Sequence, residues 1–532
     1  MQIADEEHRP AASGDDAAPG MPAAASLAHM TPVPGAPPPV PEGAAAAPPP
    51  RAGLVARARA WLDTSGPGEA PRRELLAYSL GGFGQGMAAG VMGLTMPILN
   101  MTLGVDPGKL GLVRSLKMIW DGVNDPIFGH ITDNTKTRWG RRRPYIAVGG
   151  VLTGLLSIGM WMMPPGMTET WYLVYFAVAI LLIETSSTVF TVPFYALGIE
   201  LSPSYHGRTR VAAYRGFING IGGFISPWFL RFCLLSSFGG ILYGARWLSL
   251  ILGSIAMVTA VIAAAVCRER LQADTVRPAK NENFFKAVRG CADNVHFWRV
   301  TGIYVIMALG GGLFEMIGGY MSIFYVFRGD MTAASGIGGI TGMLGTGMAM
   351  IGIPLIARVS RRLGKHGALR CALVLMMTGD LMRWVLFDPR HPWLLLLTPI
   401  SYSIGISATY TILGSMQADV VDVDEMNSGR RREGMFGAVS AVVMKSASAF
   451  AVACSGFILN MTGFDAKLGG AQSEQTYFLL RILFTFGPLA FQGLVLLLLY
   501  RYPLTESRMD DIRAELKQRR AAALAAAAET SA

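Results

Sequence analysis

Between Leu75 and Tyr500 the chain alternates long apolar stretches with short polar breaks. Each stretch, at about 1.5 Å of helical rise per residue, is long enough to cross a hydrocarbon core of roughly 30 Å. The pattern predicts twelve membrane-spanning helices, near 75–100, 108–131, 144–163, 171–199, 211–235, 245–267, 298–327, 335–358, 368–387, 392–418, 434–460 and 475–500. The breaks differ in charge. Lys136, Arg138, Arg141, Arg142 and Arg143 follow the second span, Arg208 and Arg210 the fourth, and Arg268 through Arg289 the sixth. Arg361, Arg362 and Lys365 follow the eighth and Arg430 to Arg432 the tenth, whereas the loop after the third carries Glu169 and no basic residue. Basic loops stay on the cytoplasmic side, so the even-numbered loops and both termini are expected there.

The polar breaks also repeat. Arg138-Trp-Gly140-Arg is echoed 224 residues later by Arg362-Leu-Gly364-Lys. Glu200 followed by Gly207-Arg208-Thr-Arg210 is echoed at an offset of 222 by Asp422 followed by Gly429-Arg-Arg-Arg432. Two motifs at nearly one offset predict a parallel duplication of six spans. Five segments result: an Ala/Pro-rich cytoplasmic terminus over 1–70, read as disordered; a six-helix bundle over 71–267; a linker over 268–297; a second bundle over 298–500; and a tail over 501–532. Within the first segment, Leu54, Val55, Trp61 and Leu62 share a stretch with Arg51, Arg57 and Arg59, a pattern for either a short surface helix or a basic linker. No apolar run there is long enough for a signal peptide.

Composition agrees with the periodicity. Hydrophobic residues make up 52% of the 532, and only 15% are charged, against about 25% in soluble domains. Mean hydropathy is +0.39. The formal charge of +10 sits in the short loops, so it reads as topology and not as nucleic-acid binding. Five dispersed cysteines with no CxxC speak against disulfides and zinc and read as buried small hydrophobes. There is no Gly-rich nucleotide loop or paired catalytic histidine, which sets aside a membrane enzyme or a non-transporting sensor.

Ionisable groups inside spans carry the functional signal, because lipid makes them costly. Asp121 and Asp125, four residues apart on span two, share a helix face with Asn124 beside them. They need a compensating proton, sodium ion or lysine, and Lys445, deep in span eleven, is their expected partner. Gln85, Glu184, Thr188, Thr191, Arg215, Glu315 and Tyr410 are further polar residues within spans, and Glu184, Thr188 and Thr191 share one face of span four. Asp380 and Arg383 are spaced as an intrahelical ion pair. In the basic loops, glycine allows a tight turn, and the arginines can bond helix-end carbonyls and the acids Glu200 and Asp422. Arg138, Gly140, Arg141, Glu200, Arg208, Asp419, Asp422 and Arg430 are therefore expected to form a cytoplasmic gate.

The run Asp121-Gly-Val-Asn124-Asp125-Pro126 with Arg138-Trp-Gly140-Arg-Arg-Arg-Pro144 resembles the signature of the glycoside–pentoside–hexuronide:cation symporters, a branch of the major facilitator superfamily. Ala418-Asp419-Val-Val-Asp422 with Gly429-Arg-Arg-Arg-Glu433-Gly434 resembles their second signature, and Tyr502-Pro-Leu-Thr-Glu506 their C-terminal segment. The resemblance spans roughly residues 72–520 and implies an all-α membrane protein of the major facilitator fold, with twelve transmembrane helices in two six-helix halves. It implies symport of a sugar or glycoside with H+ or Na+ by alternating access, with a lipid or lysolipid cargo as the alternative. By this resemblance Asp121, Asn124, Asp125 and Thr188 would bind the cation, Lys445 would stand beside it, and Arg215 would contact sugar. The acids that hold melibiose in one family member align with Gly86 and Thr191, and a span-eleven hydroxyl aligns with Ala441. Recognition is accordingly expected from Gln85, Thr191, Tyr195, Glu184, Glu315 and Tyr410 together with Arg215, with Trp120 or Tyr195 stacking on a sugar face. No metal, cofactor or nucleic acid is implied, and a monomer in a bacterial inner membrane is expected, its partners the cargo and membrane lipid.

Overall fold

The computed structural model describes residues 69–135, 137–202, 204–269, 291, 294–429, 432–500, 502–504 and 506–531, without the side chains of residues 205, 315, 523–524 and 526–531. The proposed surface helix near residues 51–62, most of the 268–297 linker and Arg430 lie outside these residues.

Each apolar stretch becomes a helix. The first is α1 (Arg72–Gly90, extended by short turns Val91–Leu94 and Met96–Asn100), followed by α2 (Pro107–Asn134), α3 (Arg143–Trp161) and α4 (Glu169–Glu200). Next come α5 (Tyr205–Ile225, extended to Cys233), α6 (Ile241–Val266) and α7 (Val295–Tyr320, extended to Val326). The run Met331–Leu386 is broken at Gly364, whose φ of 67° is left-handed, into α8 before it and α9 after it. Then follow α10 (Thr398–Ser428, preceded by Pro392–Leu397), α11 (Glu433–Met461) and α12 (Glu474–Leu499). A final helix, α13 (Glu506–Ser531), lies within the segment read as the C-terminal tail.

Eight of the helical segments, the α8–α9 run counting as one, are long and apolar enough to cross a membrane by hydropathy alone. Among the described residues, α13 and three helices of the first half, α1, α2 and α5, fall short, and those three carry Gln85, the Lys117-Asp121-Asp125 row and Arg215. In α2 the polarity that weakens the membrane signal is that of the candidate site, whereas α1 and α5 also carry charges at their basic ends, Arg72, Arg73 and Glu74 in one and Arg208 and Arg210 in the other.

The duplication is visible in the backbone. Gly140 and Gly364, the glycines of the first repeated motif, both adopt positive φ, 105° and 67°. The second pair diverges. Gly429 ends α10 in the left-handed region (φ 65°), whereas Gly207 lies inside the first turn of α5 with its N–H bonded to Ser204 Oγ at 2.9 Å. Close approach of Ser202, not a turn, requires glycine at 207.

The halves meet at the end away from the basic loops. Small residues bring α2 against α11: a side chain on Gly111 would stand 2.9 Å from the Val452 carbonyl, and one on Gly456 would collide with the Pro107 carbonyl. Asn460 Nδ2 donates to Asp106 Oδ2 at 2.9 Å, and Tyr320 Oη on α7 donates to Asn100 Oδ1 at 2.5 Å. On the other pair of facing helices, Thr346 Oγ1 on α8 donates to the Gly223 carbonyl on α5 at 2.9 Å. None of the five cysteines is in a disulfide; Cys233, Cys267 and Cys291 are buried as expected, Cys454 is half-buried and Cys371 is exposed.

Candidate cation and substrate site

At mid-depth α2 crosses α4 on one side and α11 on the other. Residues 117, 121 and 125 recur every four positions on α2, so a single face of the helix carries an ammonium and two carboxylates. Lys445 Nζ lies 2.6 Å from Oδ2 of Asp121 and 2.6 Å from Oδ2 of Asp125, joining the two halves. Such charge-assisted bonds compensate the cost of holding three ions in the bundle.

Around this triad, Asn124 is buried, and its Nδ2 lies 3.4 Å from Thr185 Oγ1 on α4. Trp120 Nε1 donates to the same oxygen at 2.9 Å. Thr188, expected in the cation site, is buried one turn further along α4, and its hydroxyl has no hydrogen-bond partner. Thr185 therefore makes the contact with Asn124, and sequence reading missed it. It also missed Lys117, whose Nζ lies 3.2 Å from Glu184 Oε2. Position 117, one turn before Asp121 inside a span, was the available signal.

The expected recognition residues divide. Arg215 stacks over the Tyr195 ring at 5.4 Å from its centroid, bringing two of them together on α5 and α4. Position 86 is open, with no heavy atom within 4 Å of where a side chain would begin. Gln85 turns the other way: it is buried, and its Nε2 reaches the Gly150 and Ala256 carbonyls at 3.3 and 3.4 Å, packing α1 against α3 and α6. Glu184 is engaged by Lys117 as described, and Thr191 is half-buried on α4. Glu315 lies on α7, but its side chain is outside the described ones. Tyr410 lines a cavity of about 340 Å³ with Met118, Tyr402, Met444, Phe491 and Gln492. A second cavity of about 450 Å³ adjoins it past Met444 and includes Ala441, Gln417 and Ser440. Asp380 and Arg383 form the expected intrahelical pair at 2.8 Å. Gln492 Nε2 reaches Asp380 Oδ2 at 2.6 Å, so that network lies next to the first cavity.

At the basic end the named ion pairs fall within each half. Arg141 Nη2 meets Glu200 at 2.8 Å, and Arg142 bridges Glu200 and, at 3.7 Å, Asp133. The backbone N–H groups of Arg141, Arg142 and Arg143 donate to Glu269 at 3.0, 2.8 and 3.1 Å. Glu269 thereby caps the start of α3, where helix N–H groups lack partners. Arg138 lies over the Trp139 ring, and Arg208 is exposed on α5. In the second half Lys365 meets Asp419 at 2.6 Å, so the counterpart of Glu200 is Asp419 and not Asp422. Arg513 on α13 binds Asp419 at 2.6 Å and reaches Asp422 at 3.6 Å. With Arg520 on Glu425 at 2.7 Å, it clamps α13 to α10. Among the described residues no cluster of His, Cys, Asp and Glu is arranged to hold a metal ion.

Comparison with known proteins places the chain. It is 25% identical to an uncharacterized symporter of Synechocystis, over 84% of this chain and 96% of that protein. It is 26% identical to the isoprimeverose transporter of Lactiplantibacillus pentosus, over 85% and 92%. It is 23% identical to the sodium-dependent lysophosphatidylcholine symporter 1 of Mus musculus, over 81% and 86%. The fold matches that of a bacterial homolog of the human lysosomal transporter Spinster with a TM-score of 0.57 at 15% identity, over 82% of this chain and 98% of that one. The model of the MFS/sugar transport protein family matches residues 77–506. The chain therefore belongs to that family of multi-pass membrane transporters, in its glycoside–pentoside–hexuronide:cation symporter branch.

Proposed function

We propose that this protein takes up a sugar or glycoside together with one monovalent cation, H+ or Na+, by alternating access, with its basic loops and both termini in the cytoplasm of a bacterial cell. The observation that carries the reading is Lys445 held between Asp121 and Asp125. Two carboxylates share one tethered ammonium, so a mobile cation binds by taking the place of Lys445, and its departure lets Lys445 return. Asn124 with the Thr185 hydroxyl it contacts, and the unpartnered Thr188 hydroxyl one turn further along α4, complete the cation shell. Arg215, Tyr195, Thr191 and Tyr410 offer a guanidinium, a hydroxyl and aromatic faces to a saccharide at the junction of the halves. The paired charges at the basic end are the groups that re-pair when that end closes.

The test is uptake of a panel of labelled mono- and disaccharides into vesicles, with and without a sodium gradient and with and without a proton gradient, normalised to inserted protein. One saccharide must accumulate against its gradient with one cation gradient and lose accumulation in Asp121→Asn. The apolar lining of the 340 Å³ cavity, with Met118, Met307, Met376, Met444 and Phe491, favours a second cargo, a lysolipid. Labelled lysophosphatidylcholine in the same vesicles, accumulated where no saccharide is, would replace the sugar reading.

A further inference from the structure

The Lys117–Glu184 pair plays no part in the scheme above, yet it belongs to the same structure. Lys117 stands one turn before Asp121 on the same face of α2. Its ammonium lies 3.2 Å from Glu184, and the two side chains are 36% and 10% exposed. Glu184 immediately precedes Thr185, the hydroxyl that receives Trp120 and Asn124, so the pair sits at the level of the cation site. The charged groups facing Glu184 are Lys117, Asp121 and Asp125 from α2, with Lys445 beyond them from α11. Three carboxylates are set against two ammoniums, which leaves one unbalanced negative charge.

We infer that Lys117 is a tethered cation that fixes the coupling stoichiometry: by occupying Glu184 it holds the site's deficit at one charge, so one monovalent cation binds per cycle. An unpaired carboxylate within the bundle must acquire a cation of its own. Removing Lys117 raises the deficit to two, and removing Glu184 abolishes it. Removing both restores one. The inference rests on the symport reading, and its test separates the two.

The test counts cations on purified full-length protein. Protons are counted in sodium-free potentiometric titration against the Asp121→Asn/Asp125→Asn/Glu184→Gln triple variant, and sodium ions by equilibrium dialysis with radioactive sodium. Wild type is expected to bind one cation, and Lys117→Met two. Glu184→Gln should bind with at least tenfold weaker affinity, and the Lys117→Met/Glu184→Gln double variant should return to one. A pair that served only to hold α2 against α4 would lose binding in both single variants with no recovery in the double. One cation bound by a monodisperse Lys117→Met, or no recovery in the double variant, overturns the inference. If Lys117→Met is not monodisperse, Lys117→Gln is counted in its place and read the same way. A wild-type protein that binds no cation overturns the symport reading instead.

Discussion

Gly140 and Glu269 occupy complementary space: a side chain on Gly140 would begin 2.5 Å from Glu269 Oε1. With φ at 105°, position 140 also strains any L-residue. The glycine turn therefore exists so that a carboxylate from the end of α6 can cap α3. Gly140→Ala should destabilise the first half by about 1–2 kcal/mol from the backbone strain, with up to a further ~1 kcal/mol from the displaced cap. Thermal unfolding in detergent checks this, and a variant as stable as wild type would refute the cap.

The same pair shows how far the sequence could be read. Twelve spans, the duplicated basic motifs and the Asp121, Asp125 and Lys445 triad follow from periodicity and from the cost of charge in lipid, both of which are local signals. Glu269 was not legible, because nothing along the chain says that a linker carboxylate folds back 129 positions onto a glycine turn. Gln85 misled for a related reason: a polar residue in a span must satisfy its amide, and helix packing against Gly150 and Ala256 does so as well as a ligand would. Lys117 was visible, but its partner Glu184 lies on another helix, and a single sequence does not record which faces meet.

Tyr320 and Asn100 close the end opposite the basic loops with one side-chain hydrogen bond between the halves. Tyr320→Phe keeps the ring packed against Phe464 but leaves the buried Asn100 oxygen without this donor, a loss of about 1–3 kcal/mol from this closed form alone. The population open at that end should rise by roughly fivefold or more. Thiol labelling of a cysteine placed at the buried Met96, whose sulfur lies 3.9 Å from Tyr320 Oη across the halves, should quicken accordingly, and an unchanged labelling rate would remove the bond from the closure.

His366, in the turn after Gly364 and beside the Tyr502 ring, is held below its ordinary value of 6.5 by burial first and by the neighbouring Arg370 and Lys365 charges second. Its folded form prefers the neutral ring, so its contribution is fully present above the unfolded value. It falls away as pH drops through that value towards the lowered folded one. Stability of the protein in detergent should therefore decline on acidification below about 6.5, and His366→Gln should flatten part of that decline. Melting temperature measured against pH tests this; an identical acid slope in the variant would exclude His366.

Lys445 both neutralises and competes. In the proposed cycle the cation binds between the two carboxylates that hold Lys445 in this structure, and Lys445 displaces it on release. At an effective dielectric of about 20, one unit charge at 4 Å is worth about 4 kcal/mol. Lys445→Ala should therefore tighten cation binding by at least tenfold, which needs only about 1.4 kcal/mol of that interaction. Tighter binding slows release, so net uptake should fall steeply. Exchange of internal for external substrate, which needs no cation release, should survive. A role confined to holding α11 against α2 would lower both activities together. Net uptake and exchange measured in the same vesicles, normalised to inserted protein, decide between the two, and equal loss of both would take Lys445 out of the release step.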